Sequence, residues 1–245
     1  MRPEQQLADV FVALARGTEE SPDVPGTLSV LAHHSPRLLD ARAASVVYVP
    51  GGREAPQVVG SDPEVTLLER DAVERGEGPA HDCLRQGRCP RLVGLADPAA
   101  RWRWPHYAPQ AVALGYNRVA VHPLRGRGGV TGALLLLSSE AAGPVDPDML
   151  ELGQSMADFT AVTLERVREA EQSRTLTVQL ERALISRVII EQAKGVLAAH
   201  RRVTMDEAFD VLRKYARSRR RQLSEVSREV VEGQADPELT GPIEG

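Results

Sequence analysis

The stretch SRVIIEQAKGVLAAHRR, residues 186–202, has the apolar spacing of a helix but carries Lys194 and Gly195 at its centre. Glycine inside a helix costs about 1 kcal/mol relative to alanine, because its backbone loses more freedom on folding. A helix that keeps Lys-Gly here needs the pair for something besides helix formation. Two interpretations stay open: close packing against a neighbouring helix, and close approach by a bound partner.

The region before this stretch predicts one long helix. From Gln154 to Lys194 the chain contains neither glycine nor proline, which indicates a continuous helix of about 40 residues. The polar faces leave an apolar seam with little else to bury against, so we expect it to pair with a second copy in a homodimer. The alternative is that the helix folds back on its own domain. The seam consists of Met149, Leu152, Met156, Phe159, Leu176, Leu180 and Leu184.

The region after the stretch predicts two further helices. Thr204 and Glu207 have the spacing of a capping box that begins one helix, and Ser224 can cap a third that stops at Gly233. We therefore expect an all-α three-helix bundle at 174–233, preceded by a helical connector and dimerisation coiled coil at 150–185. The last residues, 234–245, are expected to form a flexible tail.

The first two thirds of the chain have a different pattern. Runs rich in valine and leucine predict strands at 43–50, 57–60, 117–125 and 131–139, and the Gly51-Gly52 and RGRGG turns pair them as antiparallel hairpins. Helices are expected at 4–16, 27–39 and from Pro63, and the proline-rich region 76–109 is expected to be an irregular loop over a pocket. The prediction is an α+β sensor-type domain at 5–165.

Charge is divided unevenly along the chain. The net charge is -4, yet 13 lysines and arginines face 8 acidic residues between Arg174 and Gly233. A basic module of this kind favours a polyanion such as nucleic acid, although a solvated basic face is an equally common cause. No apolar run is long enough for a membrane span, and the two cysteines fit a reducing compartment. We expect a cytoplasmic protein that does not contact the membrane.

The candidate nucleic-acid contacts lie in the basic module. Arg187 and Lys194 are about two helical turns apart and so share a face, and Arg213 and Arg217 are one turn apart, just before the run of three arginines at 219–221. An exposed tyrosine at 215 can stack on an unpaired base, but its spacing is also typical of a core position. The full candidate set is Arg187, Lys194, Gly195, Arg213, Tyr215, Arg217, Arg220 and Arg221.

Catalytic and metal sites are disfavoured. His81-Asp82-Cys83 resembles part of a nucleophilic site, but adjacent residues rarely present their side chains to each other. The spacing of His81, Cys83, Cys89 and His106 matches no common zinc pattern. We expect no enzyme activity, catalytic residue, metal or cofactor.

The basic module resembles the ANTAR domain, a three-helix RNA-binding module of bacterial antiterminators. Fixed offsets separate the Ala-Lys-Gly signature from the Ala-Phe and Leu-Arg pairs. The matching residues are Ala183, Leu184, Ser186, Arg187, Ile190, Ala193, Lys194, Gly195, Leu197, Ala208, Phe209, Leu212, Arg213, Tyr215, Ala216, Arg217, Leu223, Val226, Val230 and Val231.

The upstream region resembles the GAF sensor domain, which binds small molecules between its sheet and a covering loop. The resemblance is looser and rests on residues 44–47, 61–63, 68–69, 77–79, 103–105, 115–116 and 131–134. Where the family pattern has Glu-Gly-Pro-Cys, this chain has Ala80 after Glu77-Gly78-Pro79, and Cys83 follows three places later.

Together these resemblances imply an actinobacterial-type regulator that binds pairs of RNA hairpins in nascent transcripts and lets polymerase continue. A dimer would place one bundle on each hairpin, and an unknown small-molecule or protein signal would act at the GAF-like domain. Two other classes remain open. One is a DNA-binding regulator that uses the three helices as a helix-turn-helix, and the other is a sensor or scaffold whose basic region contacts a protein.

Overall fold

The computed structural model describes residues 10–13, 24–51, 55–87, 89, 91–139 and 146–241 of the chain. The chain divides into two compact units, residues 1–171 and residues 172–245. Residues 10–13 are helical, and the remainder of the opening helix predicted at 4–16 lies outside the described residues.

The first unit is an antiparallel sheet with helices on both faces. The strands are β1 (Ala43–Tyr48), β2 (Gln57–Gly60), β3 (Leu92–Gly94), β4 (Arg118–Gly126) and β5 (Gly129–Ser138). The helices are α1 (Val24–Leu38), α2 (Pro63–Arg75), α3 (Pro79–Gln86), α4 (Pro98–Arg103), α5 (Tyr107–Ala113) and the start of α6 (Pro147–Arg201). The sheet has five strands in the order β2-β1-β5-β4-β3, and every neighbouring pair is antiparallel. The α+β class is confirmed.

The four predicted strands are four of the five strands of this sheet, with β2 at one edge. The RGRGG run makes the β4–β5 hairpin, in which Gly126 lies opposite Gly129. Strands β1 and β2 pair as predicted, with Val47 opposite Val58, and Gly52 of their connection lies outside the described residues. Because successive side chains on a strand alternate between faces, the sheet buries a separate core on each side.

One core lies under α2 to α5 and the other under α1 and α6. On β4, Val119 and Val121 belong to the first core, whereas Ala120 and Leu124 belong to the second. The second core also holds Met156 and Leu164 of α6. Helix α6 therefore begins as part of the sensor unit.

The region 76–109 is not the irregular loop that we expected. It contains α3, β3, α4 and α5, and the loop prediction is wrong there. Proline lies in the first turn of α3 and of α4, where the missing N–H costs no hydrogen bond, so Pro79 and Pro98 begin helices instead of breaking them. Trp104, expected near a loop, is 1% exposed, whereas Trp102 is 86% exposed.

The long helix is longer than predicted, and its first part does not serve as a free seam. Helix α6 has 55 residues and includes both Gly153 and Gly195. Met156 is fully buried in the unit's own core, and the ring of Phe159 packs edge-on against Phe11 with centroids 5.1 Å apart. The dimer seam predicted through 149–159 is therefore wrong, because those side chains pack against their own domain. In the described residues no helix has the length and apolar character needed to cross a bilayer.

The second unit is a bundle of the end of α6, α7 (Met205–Ser218), α8 (Leu223–Val231) and α9 (Pro237–Thr240). The capping box at the start of α7 is present: the Thr204 hydroxyl accepts from the Glu207 N–H, and the Glu207 carboxylate accepts from the Thr204 N–H at 2.8 Å. The bundle core consists of Ala193, Leu197, Ala208, Leu212, Ala216, Val226, Val230 and Leu239.

The tail prediction is wrong for residues 237–241. These residues form the short helix α9 and its end, and Leu239 is 1% exposed in the bundle core. Burial of a leucine gains enough free energy to hold so short a segment. Residues 242–245 lie outside the described residues.

Candidate nucleic-acid interface

Lys194 is held in place by two neighbours in the bundle. Its ammonium donates to both oxygens of the Glu191 carboxylate, at 3.0 and 2.9 Å, and lies 5.5 Å from the centre of the Phe209 ring. Only 15% of its side chain is exposed. The fold therefore fixes the position of this cation instead of leaving it on a mobile surface arm.

Gly195 has no packing partner that requires a glycine. A Cβ built at this position would meet nothing within 4 Å in the described residues. Close packing of helices within one chain, one of the two interpretations left open, therefore does not explain it. The backbone of α6 is open here to something outside the chain.

Arg213 and Arg217 extend the same region along α7. Residues 209, 213 and 217 follow at intervals of four and so lie on one side of the helix. Both arginines are exposed, and neither makes an ion pair within the described part of the chain. We call Lys194, Phe209, Arg213 and Arg217 the basic side of α7.

Arg187 and Arg220 are also exposed without an ion pair among the described residues. Arg220 has φ of 52°, and Arg202, at the end of α6, has φ of 54°. This left-handed conformation favours glycine after a helix, so an arginine there has a conformational cost of roughly 1 kcal/mol. The fold alone would be better served by glycine at both places.

Tyr215 lies on the opposite flank of α7 and is not free. Its hydroxyl donates to the Asp236 carboxylate at 3.0 Å, and the Arg219 guanidinium lies 5.4 Å from its ring centre. Burial, followed by the hydrogen bond to Asp236, raises the pKa of Tyr215. Arg221 makes a two-armed ion pair with the Glu229 carboxylate, with the shorter contact at 2.5 Å. The candidate residues therefore do not form one surface. Arg213 and Arg217 are exposed on the basic side of α7, whereas Tyr215 and Arg221 contact acidic residues of the same unit.

Phe209 and Arg219 are contacts that the sequence analysis did not select. The spacing 209, 213, 217 is visible in the sequence and could have identified Phe209. The role of Arg219 depends on Asp236 and Glu238, which only the folded chain brings close to it.

A separate apolar strip lies on α6, in the second unit. Leu176, Leu180, Leu184 and Val188 follow at intervals of four and are 56%, 57%, 63% and 57% exposed. Four large apolar side chains in a row, each more than half exposed, are unusual on a surface that faces only water. We call them the apolar strip of α6.

The sensor unit contains a buried carboxyl group on α2, the helix predicted from Pro63. Glu69 on α2 is 0% exposed and accepts from the Tyr107 hydroxyl at 2.7 Å. Within the part of the chain that the structure describes, its Oε2 and the nearby Ser45 hydroxyl have no hydrogen-bond partner. Burial raises the pKa of Glu69 to about 7, and the hydrogen bond from Tyr107 opposes this increase.

The His81-Asp82-Cys83 stretch has a structural arrangement. The Asp82 carboxylate accepts from the Trp104 indole at 2.9 Å and from Arg103 at 2.6 Å. Cys83 is joined to Cys89 in a disulfide, whereas we expected reduced cysteines. Within the described ranges no three histidine, cysteine or acidic side chains are grouped so that they could hold a metal ion.

A polar cavity of about 510 Å³ lies at the sheet edge beside the start of α6. His122, on its wall, is 4% exposed, and its ring packs on Gly153 of α6. Burial and then the charge of Arg91 lower the pKa of His122 to about 4, so it is neutral at physiological pH. The lining is Gly87, Cys89, Arg91, Val121, His122, Pro123, Arg125, Leu150, Glu151, Gln154 and Ser155.

The chain matches two known domains. Residues 178–231 match the ANTAR domain, and residues 21–165 match the GAF domain. The GAF match covers more than half of the chain, so the chain belongs to the GAF domain family and carries an ANTAR domain after it. GAF is a sensor domain, and ANTAR is the RNA-binding domain of antitermination regulators. The resemblance predicted from the sequence is confirmed.

Several solved structures are similar to the first unit. The GAF domain of a phosphoenolpyruvate-protein phosphotransferase from Coxiella burnetii is 15% identical over 69% of this chain and 98% of that chain, with a TM-score of 0.48. The GAF-B domain of DevS from Mycobacterium smegmatis is 20% identical over 63% of this chain and 99% of that chain, with a TM-score of 0.42. No curated protein matches the chain.

Proposed function

We propose that this GAF and ANTAR protein binds pairs of RNA hairpins in nascent transcripts and acts as an antiterminator. The observation that carries the proposal is the basic side of α7, where Arg213 and Arg217 are exposed and make no ion pair with any described residue, in a domain that matches ANTAR. A guanidinium that has no protein carboxylate to release can bind a phosphate in a two-armed contact without first breaking an ion pair.

Lys194 and Gly195 add to this surface on α6. The ammonium of Lys194 is fixed by Glu191 and Phe209, so it loses little side-chain entropy when a phosphate approaches. Outside its own helical turn, Gly195 has no described atom within 4 Å of its Cβ position, which leaves room for a backbone to come close. We propose that the RNA backbone passes over this place and continues along Arg213 and Arg217.

The active form is a homodimer in this proposal. The apolar strip of α6 supplies the contact, since four aligned apolar side chains gain free energy when a second copy covers them. Each copy then provides one bundle, which suits a target that consists of two hairpins. We place the protein in the cytoplasm, where transcripts are made.

The signal acts at the sensor unit, and we propose a small molecule or a protein partner as its source. The polar cavity is lined by residues of the first turns of α6, including Glu151 and Gln154. A ligand there contacts the same helix that carries Lys194 and Gly195 further along. A preference of the ligand for one arrangement of α6 would shift the population of binding-competent dimers.

The test measures, by fluorescence anisotropy, how tightly the full chain binds a labelled RNA that contains two hairpins. We expect unlabelled double-hairpin RNA to displace the probe at a lower concentration than a single hairpin or a DNA duplex of equal length. A preference for the DNA duplex would contradict the proposal and support the helix-turn-helix alternative. Binding to neither nucleic acid would support the protein-contact alternative.

A further inference from the structure

We propose that Tyr215 and Arg219 form a second phosphate-binding place on the ANTAR domain, and that the chain's own residues 235–241 occupy it as an internal competitor. We call residues 235–241 the acidic segment. This inference rests on the proposed RNA-binding function. It adds Arg219 to the contacts and assigns a regulatory role to a segment that lies after the ANTAR match, which ends at residue 231.

The contacts of the acidic segment are those that a pair of phosphates would make. Tyr215 donates its hydroxyl hydrogen to the Asp236 carboxylate at 3.0 Å. Arg219 donates to the Glu238 carboxylate at 2.8 Å and lies 3.9 Å from Asp236. Two negative groups, two residues apart, are thus bound by a hydroxyl and a guanidinium that lies over an aromatic ring. The same three features recognise single-stranded RNA by hydrogen bonding, charge and stacking.

The charge of the segment is opposite to that of its binding place. After Arg228 the chain contains no lysine or arginine, whereas the bundle that it covers is rich in both. Arg201, at the end of α6, also donates to the backbone carbonyl of Glu238 at 2.9 Å. An acidic segment on a basic domain has the complementarity of a nucleic-acid mimic.

The carboxylate contacts are of a kind that a polyanion can displace. The Arg219 and Glu238 side chains are 51% and 69% exposed, and exposed ion pairs are weak because water and salt screen them. In the chain without RNA the segment is docked through Leu239, which is buried in the core, and Asp236 caps α9 by accepting from the Glu238 N–H at 2.9 Å. Burial of Leu239 is sufficient to dock the segment, so it does not account for two carboxylates placed on Tyr215 and Arg219.

The test compares three forms of the full chain for binding to the labelled double-hairpin RNA. Asp236→Asn/Glu238→Gln removes both competing charges, and asparagine keeps the capping ability of Asp236. The matched control is Glu225→Gln/Glu232→Gln, which removes the same charge from exposed positions of the same bundle that make no ion pair within the described part of the chain. Far-ultraviolet circular dichroism verifies that both variants keep the helicity of the parent.

We expect Asp236→Asn/Glu238→Gln to bind about threefold to tenfold more tightly than the control, the range that corresponds to one or two exposed ion pairs. In this variant Arg219 is free to bind phosphate, so adding Arg219→Gln should remove most of the gain. Equal affinities of the variant and its control would overturn the inference while the proposed function stands. If no form binds RNA, both the proposed function and the inference are wrong.

A second measurement on the parent chain does not depend on any substitution. Hydrogen exchange at the amides of Leu239 and Gly241, which donate to Asp236 and Pro237, reports whether the segment is docked. We expect these amides to exchange faster when the RNA is bound. Unchanged or slower exchange in the complex would overturn the displacement of the segment.

Discussion

We expect Glu69→Gln to stabilise the sensor unit at pH 8 and to have a much smaller effect at pH 5. The carboxyl of Glu69 is 0% exposed, and its burial raises its pKa from 4.5 to about 7. Between these two values the folded chain still holds a proton that the unfolded chain has released. The free energy of unfolding therefore falls as the pH rises through this window, and the loss is complete above pH 7.

The size of the effect follows from the width of the window. A pKa difference of one unit corresponds to about 1.4 kcal/mol. Relative to low pH, the titration of Glu69 therefore lowers the free energy of unfolding by about 3 kcal/mol at pH 8 and by about 1 kcal/mol at pH 5, where only the unfolded chain has released the proton. Glutamine has no charge and keeps an oxygen that accepts from Tyr107. Its amide can donate to the Ser45 hydroxyl, for which the described residues of the parent chain supply no hydrogen-bond partner.

Urea unfolding, monitored by tryptophan emission, measures the free energy of unfolding of the sensor unit alone. The two tryptophans of the chain, Trp102 and Trp104, both lie in the first unit. Trp104 is buried with its ring 6.1 Å from that of Tyr107, so its emission reports the core around Glu69. The control is Glu74→Gln, an exposed position on the same helix.

For each variant we compare two numbers: the change in unfolding free energy that the substitution causes at pH 8, and the change that it causes at pH 5. We expect a difference of about 2 kcal/mol for Glu69→Gln and close to zero for Glu74→Gln. Other titrating groups, including His122, contribute equally to both proteins and cancel. An equal effect at both pH values, or a pH-dependent effect of the same size for Glu74→Gln, would refute the reasoning.

Three further predictions concern the second unit. Gly195→Ala should raise the stability of the bundle by about 0.5–1 kcal/mol, since no described residue obstructs the new methyl group. The same change should weaken hairpin binding, and an unchanged affinity would show that RNA does not approach here. Arg220→Gly should leave the melting temperature unchanged or higher because the left-handed backbone suits glycine, and RNA affinity should fall; a large loss of stability would contradict this. Leu180→Glu/Leu184→Glu should convert the dimer into a monomer, as measured by sedimentation velocity, without loss of helicity of the sensor unit. A dimer that persists would show that the apolar strip of α6 is not the dimer contact.

The sequence predicted the elements whose periodicity is long and regular. Four of the five strands and the long helix were found because their apolar patterns are regular and glycine or proline marks most strand ends. The helices between residues 76 and 113 were missed because they are short, and because α3 and α4 begin at prolines, which were interpreted as signs of a loop. A helix of six to eight residues holds together through tertiary packing, such as the burial of Trp104 and Tyr107, and that packing has no local signature.

The candidate site was predicted by residue type but not by arrangement. Arg213 and Arg217 lie on one side of α7, as their spacing of one helical turn predicts, and Lys194 of α6 lies beside Phe209 on that side. The positions of Tyr215 and Arg221 depend on their contacts with Asp236 and Glu229, which come from later elements. The pattern of basic residues indicates a surface, and only the fold shows which cations are already paired.

The dependence of RNA affinity on salt tests the central claim most directly. Each phosphate contact contributes about 0.7–0.9 to the slope of log affinity against log salt, so Arg213→Gln/Arg217→Gln should reduce the magnitude of that slope by about 1.5. The control Lys214→Gln/Arg228→Gln removes the same charge from other exposed positions of the bundle and should leave the slope nearly unchanged. Equal slopes for the parent and the Arg213/Arg217 variant, or equal reductions in both variants, would contradict the claim that RNA binds along this side of α7.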